Sequence, residues 1–148
     1  MNILLWGVIA VCLLFACATD CKTCLVYNVT WWMSGAAALG LLLLYRPLPA
    51  LAQWAELLAF IALQLLLFAR LYGRADCYAF CVCAMAETAV GLAFLDYLVH
   101  MTLAFLLLTL VQGLRRNIGR RGNLKEPVPF LPYITLAFWA LLWYHSSC

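Results

Sequence analysis

The sequence predicts an all-α fold: an integral membrane bundle of about six transmembrane helices, with the N-terminus outside. Hydrophobic residues make up 68% of the 148 positions and charged residues only 10%, against about 25% charged residues in a typical soluble domain. Apolar runs follow one another along the chain, and basic residues gather in alternate gaps between them. Six helices nearly use up the length, so we expect a single membrane-embedded domain over residues 1–148.

The six apolar runs define the predicted helices. They cover residues 2–18, 29–45, 50–71, 77–90, 92–114 and 130–145. A spanning helix needs roughly 20 residues, with a lower limit of about 17, and the fourth run is shorter than this limit. Two interpretations of it stay open. Either a helix begins near Gly73, or one long kinked or re-entrant segment runs from residue 76 to residue 114 and bends at Gly91.

Lysine and arginine residues predict the orientation, because basic residues in short loops are retained on the cytoplasmic side. If the N-terminus lies outside, the loops after the first, third and fifth helices are cytoplasmic. These loops carry eight basic residues, and Arg46 alone lies on the other side. The eight are Lys22, Arg70, Arg74, Arg115, Arg116, Arg120, Arg121 and Lys125. This orientation places Asp20 and Asp76 at the same cytoplasmic edge of the membrane.

Asp20 and Asp76 stand in short polar stretches beside long apolar runs, where an ionisable group is costly enough to indicate a site. Taken singly, Asp20 marks the exit of the first helix and Asp76 is a helix N-cap. Taken together, they share one depth and one side of the membrane, although they are 56 positions apart. Two carboxyl groups that meet do not both ionise readily, so one serves as general acid while the other, as carboxylate, activates water. This is the chemistry of aspartic peptidases, and it requires no metal and no other cofactor.

Three short segments carry a pattern known from other proteins. Residues 20–28 read DCKTCLVYN, residues 73–76 read GRAD, and residues 126–132 read EPVPFLP. In order and spacing they resemble the motifs of the type IV prepilin peptidases, a family of GxGD-type intramembrane aspartic peptidases. The corresponding family motifs run roughly DxRxxxIPN, GxGD and PFGP. The resemblance covers nearly the whole chain and includes the count of six helices.

The resemblance implies roles for individual residues. Asp20 and Asp76 match the two catalytic aspartates of the family. Lys22 and Asn28 match positions that support the first motif, while Gly73 and the neighbouring alanine at position 75 belong to the turn before the second aspartate. Larger family members carry an extra cytoplasmic region with paired Cys-x-x-Cys motifs and also methylate the new pilin N-terminus. This chain is therefore expected to be a compact, peptidase-only form.

The chain departs from the family pattern at several positions. Tyr27 replaces a proline, Ala75 replaces the second glycine of GxGD, and Leu131 replaces a glycine. The lysine that often follows the second aspartate is missing. If the family needs a positive φ at the second glycine, Ala75 is strained there. The backbone at this position therefore bears on activity.

The resemblance also implies a substrate and a location. The substrate is a prepilin or prepilin-like membrane precursor with a short basic leader, a glycine before the cut and an apolar helix after it. The enzyme is a multi-pass protein of the prokaryotic cytoplasmic (inner) membrane, with its active site near the cytoplasmic face. Besides this precursor and the lipid bilayer we expect no nucleic-acid partner. Residues 35–40, GAAALG, are a candidate surface for the substrate helix, because small residues allow close approach.

The cysteines support an alternative interpretation. Cys21 and Cys24 have zinc-knuckle spacing and Cys17 lies close to them in the sequence, so one alternative is a thiol- or metal-dependent membrane carrier or oxidoreductase. A structural zinc site needs a second pair of ligands, and we expect the cysteines in the apolar runs to pack as small hydrophobic residues. A second alternative, suggested by Ala75, is a non-catalytic relative that binds prepilins.

Ionisable residues occur inside the later apolar runs as well. Glu87 and Asp96 fall toward the membrane face opposite the two aspartates of the candidate site. Asp96 and His100 are four residues apart, so they share one face of a helix and are predicted to form a local pair.

Overall fold

The chain folds into six α-helices. A computed structural model of the protein describes residues 2–44, 48–71, 73–117 and 128–147. The helices are α1 Asn2–Thr23, α2 Asn28–Leu44, α3 Leu51–Leu66, α4 Arg74–Ala89, α5 Phe94–Asn117 and α6 Leu131–Ser147, and a 3₁₀ turn, Phe68–Arg70, follows α3. All regular structure within these ranges is helical, so the predicted all-α class and the six helices are confirmed.

Three segments are long and apolar enough to cross a membrane. They are Asn2–Thr23, Leu51–Arg70 and Phe94–Leu114, of 22, 20 and 21 residues. At about 1.5 Å per residue, each spans roughly the 30 Å of a bilayer core. The outer faces of the bundle present large apolar side chains such as Leu4 and Trp32. These features indicate a membrane protein.

The orientation depends in part on residues that the structure does not cover. Arg46, Arg120, Arg121 and Lys125 lie outside the described residues. The predicted placement of the N-terminus outside therefore stays a prediction.

α4 is the central helix of the bundle. It packs against α2, α3, α5 and α6, and most of its 16 residues are buried. Small buried side chains such as Ala79, Cys83 and Ala86 allow the neighbouring helices to approach closely. The predicted start of α4 near Gly73 is confirmed.

A tight turn separates α4 from α5. The N–H of Leu92 donates to the carbonyl of Glu87, and the N–H of Gly91 donates to the carbonyl of Thr88, both at 3.0 Å. Gly91 has a φ of 92°. This is the Schellman arrangement, in which a glycine in the left-handed region ends a helix. The alternative of one long helix kinked at Gly91 is therefore wrong, while a re-entrant path through the membrane stays a prediction.

Two carboxylates cap the start of α5. Asp96 accepts a hydrogen bond from the N–H of Ala93 at 2.9 Å, and Glu56 on α3 accepts one from the N–H of Phe94 at 3.0 Å. The first N–H groups of a helix have no partner within it, and its positive end favours negative charge. Asp96 thus serves as a helix cap, while His100 bonds to other helices. The predicted Asp96–His100 pair is wrong.

Candidate active site

Asp20 lies in the last turn of α1, which extends to Thr23 and thus beyond the apolar run that ends at residue 18. Its side chain is only 9% exposed. The carboxylate oxygen Oδ2 accepts a hydrogen bond of 3.2 Å from the backbone N–H of Leu131, the first residue of α6. Asp20 therefore caps α6 from a different helix. The interpretation that it merely marks the exit of the first helix is wrong.

The end of α1 is set just after Asp20. Cys24 takes a left-handed conformation with a φ of 53°, and its N–H donates to the carbonyl of Asp20 at 2.9 Å. Lys22 is exposed in this last turn, and Asn28 is exposed as the first residue of α2. The side-chain hydrogen bond described for Asp20 goes to α6 rather than to either of these predicted support residues.

Asp76 is the third residue of α4 and is half-buried. The N-cap of the helix is Gly73, with a φ of 112° and a ψ of 152°, so the interpretation of Asp76 as the N-cap is wrong. This backbone conformation is open essentially to glycine alone. A Cβ placed on Gly73 would lie 3.6 Å from Oδ2 of Asp76. The glycine backbone therefore borders the carboxyl group.

Ala75 lies inside the first turn of α4 and is half-buried. Among the residues that the structure describes, Cys24 is the one non-glycine residue with a positive φ. Ala75 therefore takes a backbone conformation that any residue adopts. The departure from the family's second glycine causes no strain here, because the positive φ belongs to Gly73.

The bundle brings Asp20 and Asp76 together at one end. α1 and α4 both pack against α2 and against α6, and the last turn of α1 faces the same end of the bundle as the first turn of α4. The carboxyl groups of Asp20 and Asp76 are close enough to interact electrostatically. Repulsion between like charges makes it costly to ionise both. This arrangement is suited to a shared proton and to paired acid and base chemistry.

An apolar groove of about 680 Å³ runs between α2 and α4. It begins with Asn28 and Tyr78, at the end of the bundle where Asp76 lies. It is lined by Asn28, Trp31, Trp32, Gly35, Ala36, Leu39, Tyr78, Cys81, Val82 and Met85. Within the candidate surface 35–40, Ala37 and Ala38 are instead buried in the core. Half of that surface is thus open to the groove.

The cysteines differ in their surroundings. Cys17 Sγ lies 3.1 Å from Oγ1 of Thr135 on α6, whereas Cys21 is exposed. Cys81 and Cys83 are buried in α4, as predicted for cysteines that pack as small hydrophobic residues. Across residues 2–44, 48–71, 73–117 and 128–147, no group of three or more His, Cys, Asp or Glu side chains is arranged to hold a metal ion.

A buried polar group that the sequence pattern did not predict connects three helices. Oε1 of Glu87 on α4 lies 2.7 Å from Nδ1 of His100 on α5, and Nε2 of His100 lies 3.0 Å from the carbonyl oxygen of Ile134 on α6. A glutamate and a histidine inside apolar runs are themselves a signal for such a group. The four-residue spacing predicted a partner for His100 on its own helix, whereas its partners lie on α4 and α6.

Neither a protein-family model, nor a curated protein, nor a solved structure matches the chain.

Proposed function

We propose that this protein is a membrane aspartic peptidase that removes the short basic leader of prepilin or prepilin-like precursors at the cytoplasmic face. One observation carries the proposal: the fold brings together the carboxyl groups of Asp20 and Asp76, which are far apart in the sequence. Paired carboxyl groups can hydrolyse an amide without a covalent intermediate, since one activates water and the other protonates the leaving group.

Each aspartate has a separate role in this proposal. Asp20 is the carboxylate that takes a proton from the attacking water, because the Leu131 N–H and the positive end of α6 stabilise its negative charge. Asp76 holds the proton that passes to the amine as the C–N bond breaks. The tetrahedral intermediate then collapses to the carboxylic acid of the leader and the new N-terminus. Gly73 lets the backbone run close to Asp76.

The shape of the bundle fits a precursor with an apolar helix. The groove between α2 and α4 begins at the end of the bundle that holds Asp76, and its lining is mostly apolar. Gly35 and Ala36 in its wall allow another helix to approach closely. A basic leader stays on the cytoplasmic side, where the proposed orientation places the two aspartates.

The test is cleavage of candidate precursors in membranes that contain the wild type or single variants. Asp20→Asn and Asp76→Asn are each expected to lower the rate by about 10²- to 10⁴-fold, the usual contribution of a general acid or base. Asp96→Asn is the matched control, because Asp96 is a helix cap at the other end of the bundle. Cleavage that survives both changes at the site would contradict the proposal.

A double change of Cys21→Ser and Cys24→Ser tests the thiol alternative in the same assay. The peptidase proposal expects cleavage to remain, because neither thiol takes part. Loss of cleavage in this variant, with cleavage retained in both aspartate variants, would favour the thiol- or metal-dependent carrier or oxidoreductase.

One observation favours a non-catalytic prepilin-binding protein as the second candidate. The hydrogen bond from Leu131 to Asp20 gives this aspartate a structural role that requires no chemistry. This candidate predicts that a precursor co-purifies with the wild type and is never cut. Co-purification and cleavage measured on one sample separate the two functions.

A further inference from the structure

Glu87 and His100 form a polar contact in the interior of the bundle. Glu87 is 0% exposed and His100 is 1% exposed. Oε1 of Glu87 lies 2.7 Å from Nδ1 of His100, a close polar contact rather than an aligned hydrogen bond. Oε2 of Glu87 has no hydrogen-bond partner among the described residues. Burying a carboxyl group without a hydrogen bond costs free energy. We therefore expect the contact to have a role other than packing.

The second nitrogen of His100 reaches α6. Its Nε2 lies 3.0 Å from the carbonyl oxygen of Ile134, and a carbonyl oxygen can only accept, so Nε2 carries a hydrogen and donates it. The rings of Phe80 and Phe138 flank the imidazole, with centroids 5.3 and 6.0 Å away. Glu87 thus lies on the Nδ1 side of the imidazole, and Nε2 faces α6.

The carbonyl of Ile134 belongs to the same first turn of α6 as the N–H of Leu131. That N–H holds the carboxylate of Asp20. His100 therefore contacts the first turn of α6, whose Leu131 N–H donates to Asp20. Glu87 extends from α4, the helix that also carries Asp76, so these contacts link that helix to the turn that contacts Asp20.

We propose that Glu87 and His100 are positioning residues for the candidate site: through the Ile134 carbonyl they fix the first turn of α6, whose Leu131 N–H holds Asp20. The geometric part of this inference stands on the described contacts alone, while its catalytic consequence rests on the proposed peptidase function. Neither residue touches the reacting atoms. Their effect on the reaction passes through the position of one backbone N–H.

The first test measures hydrogen exchange of the Leu131 amide by NMR of the full chain in detergent. In His100→Phe and in Glu87→Leu, exchange is expected to rise about five- to tenfold, as for the loss of one net hydrogen bond. Glu87→Gln keeps a polar group beside Nδ1 and is expected to stay near the wild type. His145→Phe is the matched control, because His145 is the other of the two histidines and is exposed. Unchanged exchange in the folded His100 and Glu87→Leu variants overturns the proposal.

A second measurement requires no change in the core. In His145→Gln, His100 is the one histidine left, so the ¹⁵N shifts of its ring are read without overlap. The proposal expects a protonated Nε2 with a coupling across the hydrogen bond to the Ile134 carbonyl. An Nε2 without a proton overturns it, even if the core variants fail to fold.

Kinetics show whether the catalytic consequence holds. For leader cleavage, His100→Phe is expected to lower kcat about tenfold with little change in KM, because a misplaced Asp20 slows the chemical step without changing how the precursor binds. Glu87→Gln is expected to restore kcat relative to Glu87→Leu. If the wild type cuts no precursor while Leu131 exchange responds as expected, the peptidase function fails and the positioning contact stands. If kcat is unchanged in every variant, the catalytic part of the inference is wrong.

Discussion

Asp20 serves both as a helix cap and as the proposed base, and substitutions can separate these roles. Asp20→Asn retains an oxygen that accepts from the Leu131 N–H, so we expect the free energy of unfolding to change by less than about 1 kcal/mol while cleavage is lost. Asp20→Leu leaves that buried N–H unsatisfied and is expected to lower the free energy of unfolding by about 1–3 kcal/mol. Denaturant unfolding in detergent measures the free energy of unfolding. Equal destabilisation by Asn and Leu would show that the hydrogen bond contributes little.

Gly73 and Ala75 form a pair of positions with opposite expected responses. Gly73→Ala puts a side chain at a φ of 112° and is expected to lower the free energy of unfolding by about 1–3 kcal/mol. Cleavage is expected to be lost as well, because the strained turn borders Asp76. Ala75→Gly recreates the family's GxGD sequence but places glycine inside a helix, so it is expected to cost about 0.5–1 kcal/mol. Unfolding and cleavage are measured for both variants. A gain in activity with Ala75→Gly would show that the family's glycine has a role beyond backbone conformation.

The sequence singles out the two aspartates as a candidate site but does not show which groups contact Asp20. Asp20 and Asp76 are visible because charge beside an apolar run is rare. Asp20 bonds to the backbone N–H of Leu131, and His100 bonds to the backbone carbonyl of Ile134. Every residue other than proline carries both backbone groups, so the sequence does not mark these partners. Contacts between helices far apart in the chain follow from packing, which local patterns do not specify.

At the level of the helices, apolar runs predicted how many there are, while their ends depended on polar details. The run that becomes α1 stops at residue 18, yet the helix continues to Thr23, because polar residues extend a helix readily once it has begun. α4 gave the weakest apolar signal. It is covered by four other helices and so needs small side chains more than strongly apolar ones.

The turn after α4 allows a matched comparison of two glycines. Gly91→Ala places a side chain at a φ of 92° and is expected to lower the free energy of unfolding by about 1–2 kcal/mol. Gly113→Ala has open space around the new Cβ inside α5, four residues before the end of the helix, so it is expected to raise stability by up to about 1 kcal/mol. Denaturant unfolding of both variants tests the pair. A loss in Gly113→Ala as large as that in Gly91→Ala would rule out the left-handed turn as the cause.

At the scale of the whole molecule, the two ends of the bundle differ in what their polar groups do. Glu56, from α3, and Asp96 cap α5 at one end, and each satisfies a backbone donor at the start of that helix. At the other end Asp20 caps α6, and its carboxyl group also interacts with that of Asp76. Two interacting carboxyl groups cannot both ionise readily and add no stability by their contact, so the second end is the one where chemistry is expected.

Orientation decides whether that end can meet its proposed substrate. With the N-terminus outside, eight basic residues lie in cytoplasmic loops against Arg46 alone on the other side, a bias that favours this orientation strongly. Fusions of green fluorescent protein after residue 25 or residue 120 are expected to fluoresce, because this reporter folds inside the cell. Alkaline phosphatase fused after residue 48 is expected to be active, because it matures outside.

Moving the basic residues to the other side of the membrane tests the same orientation. Replacing Arg115, Arg116, Arg120, Arg121 and Lys125 by Gln, and adding lysines beside Arg46, should reduce or invert the reporter pattern, since the orientation follows the basic residues. Cleavage of a precursor with a basic leader should fall in parallel, because that leader stays in the cytoplasm while Asp20 and Asp76 move away from it. Phosphatase activity after residue 25 in the unmodified chain would place the two aspartates outside. The leader could not then reach them, and the proposed substrate would be wrong even if the pair were catalytic.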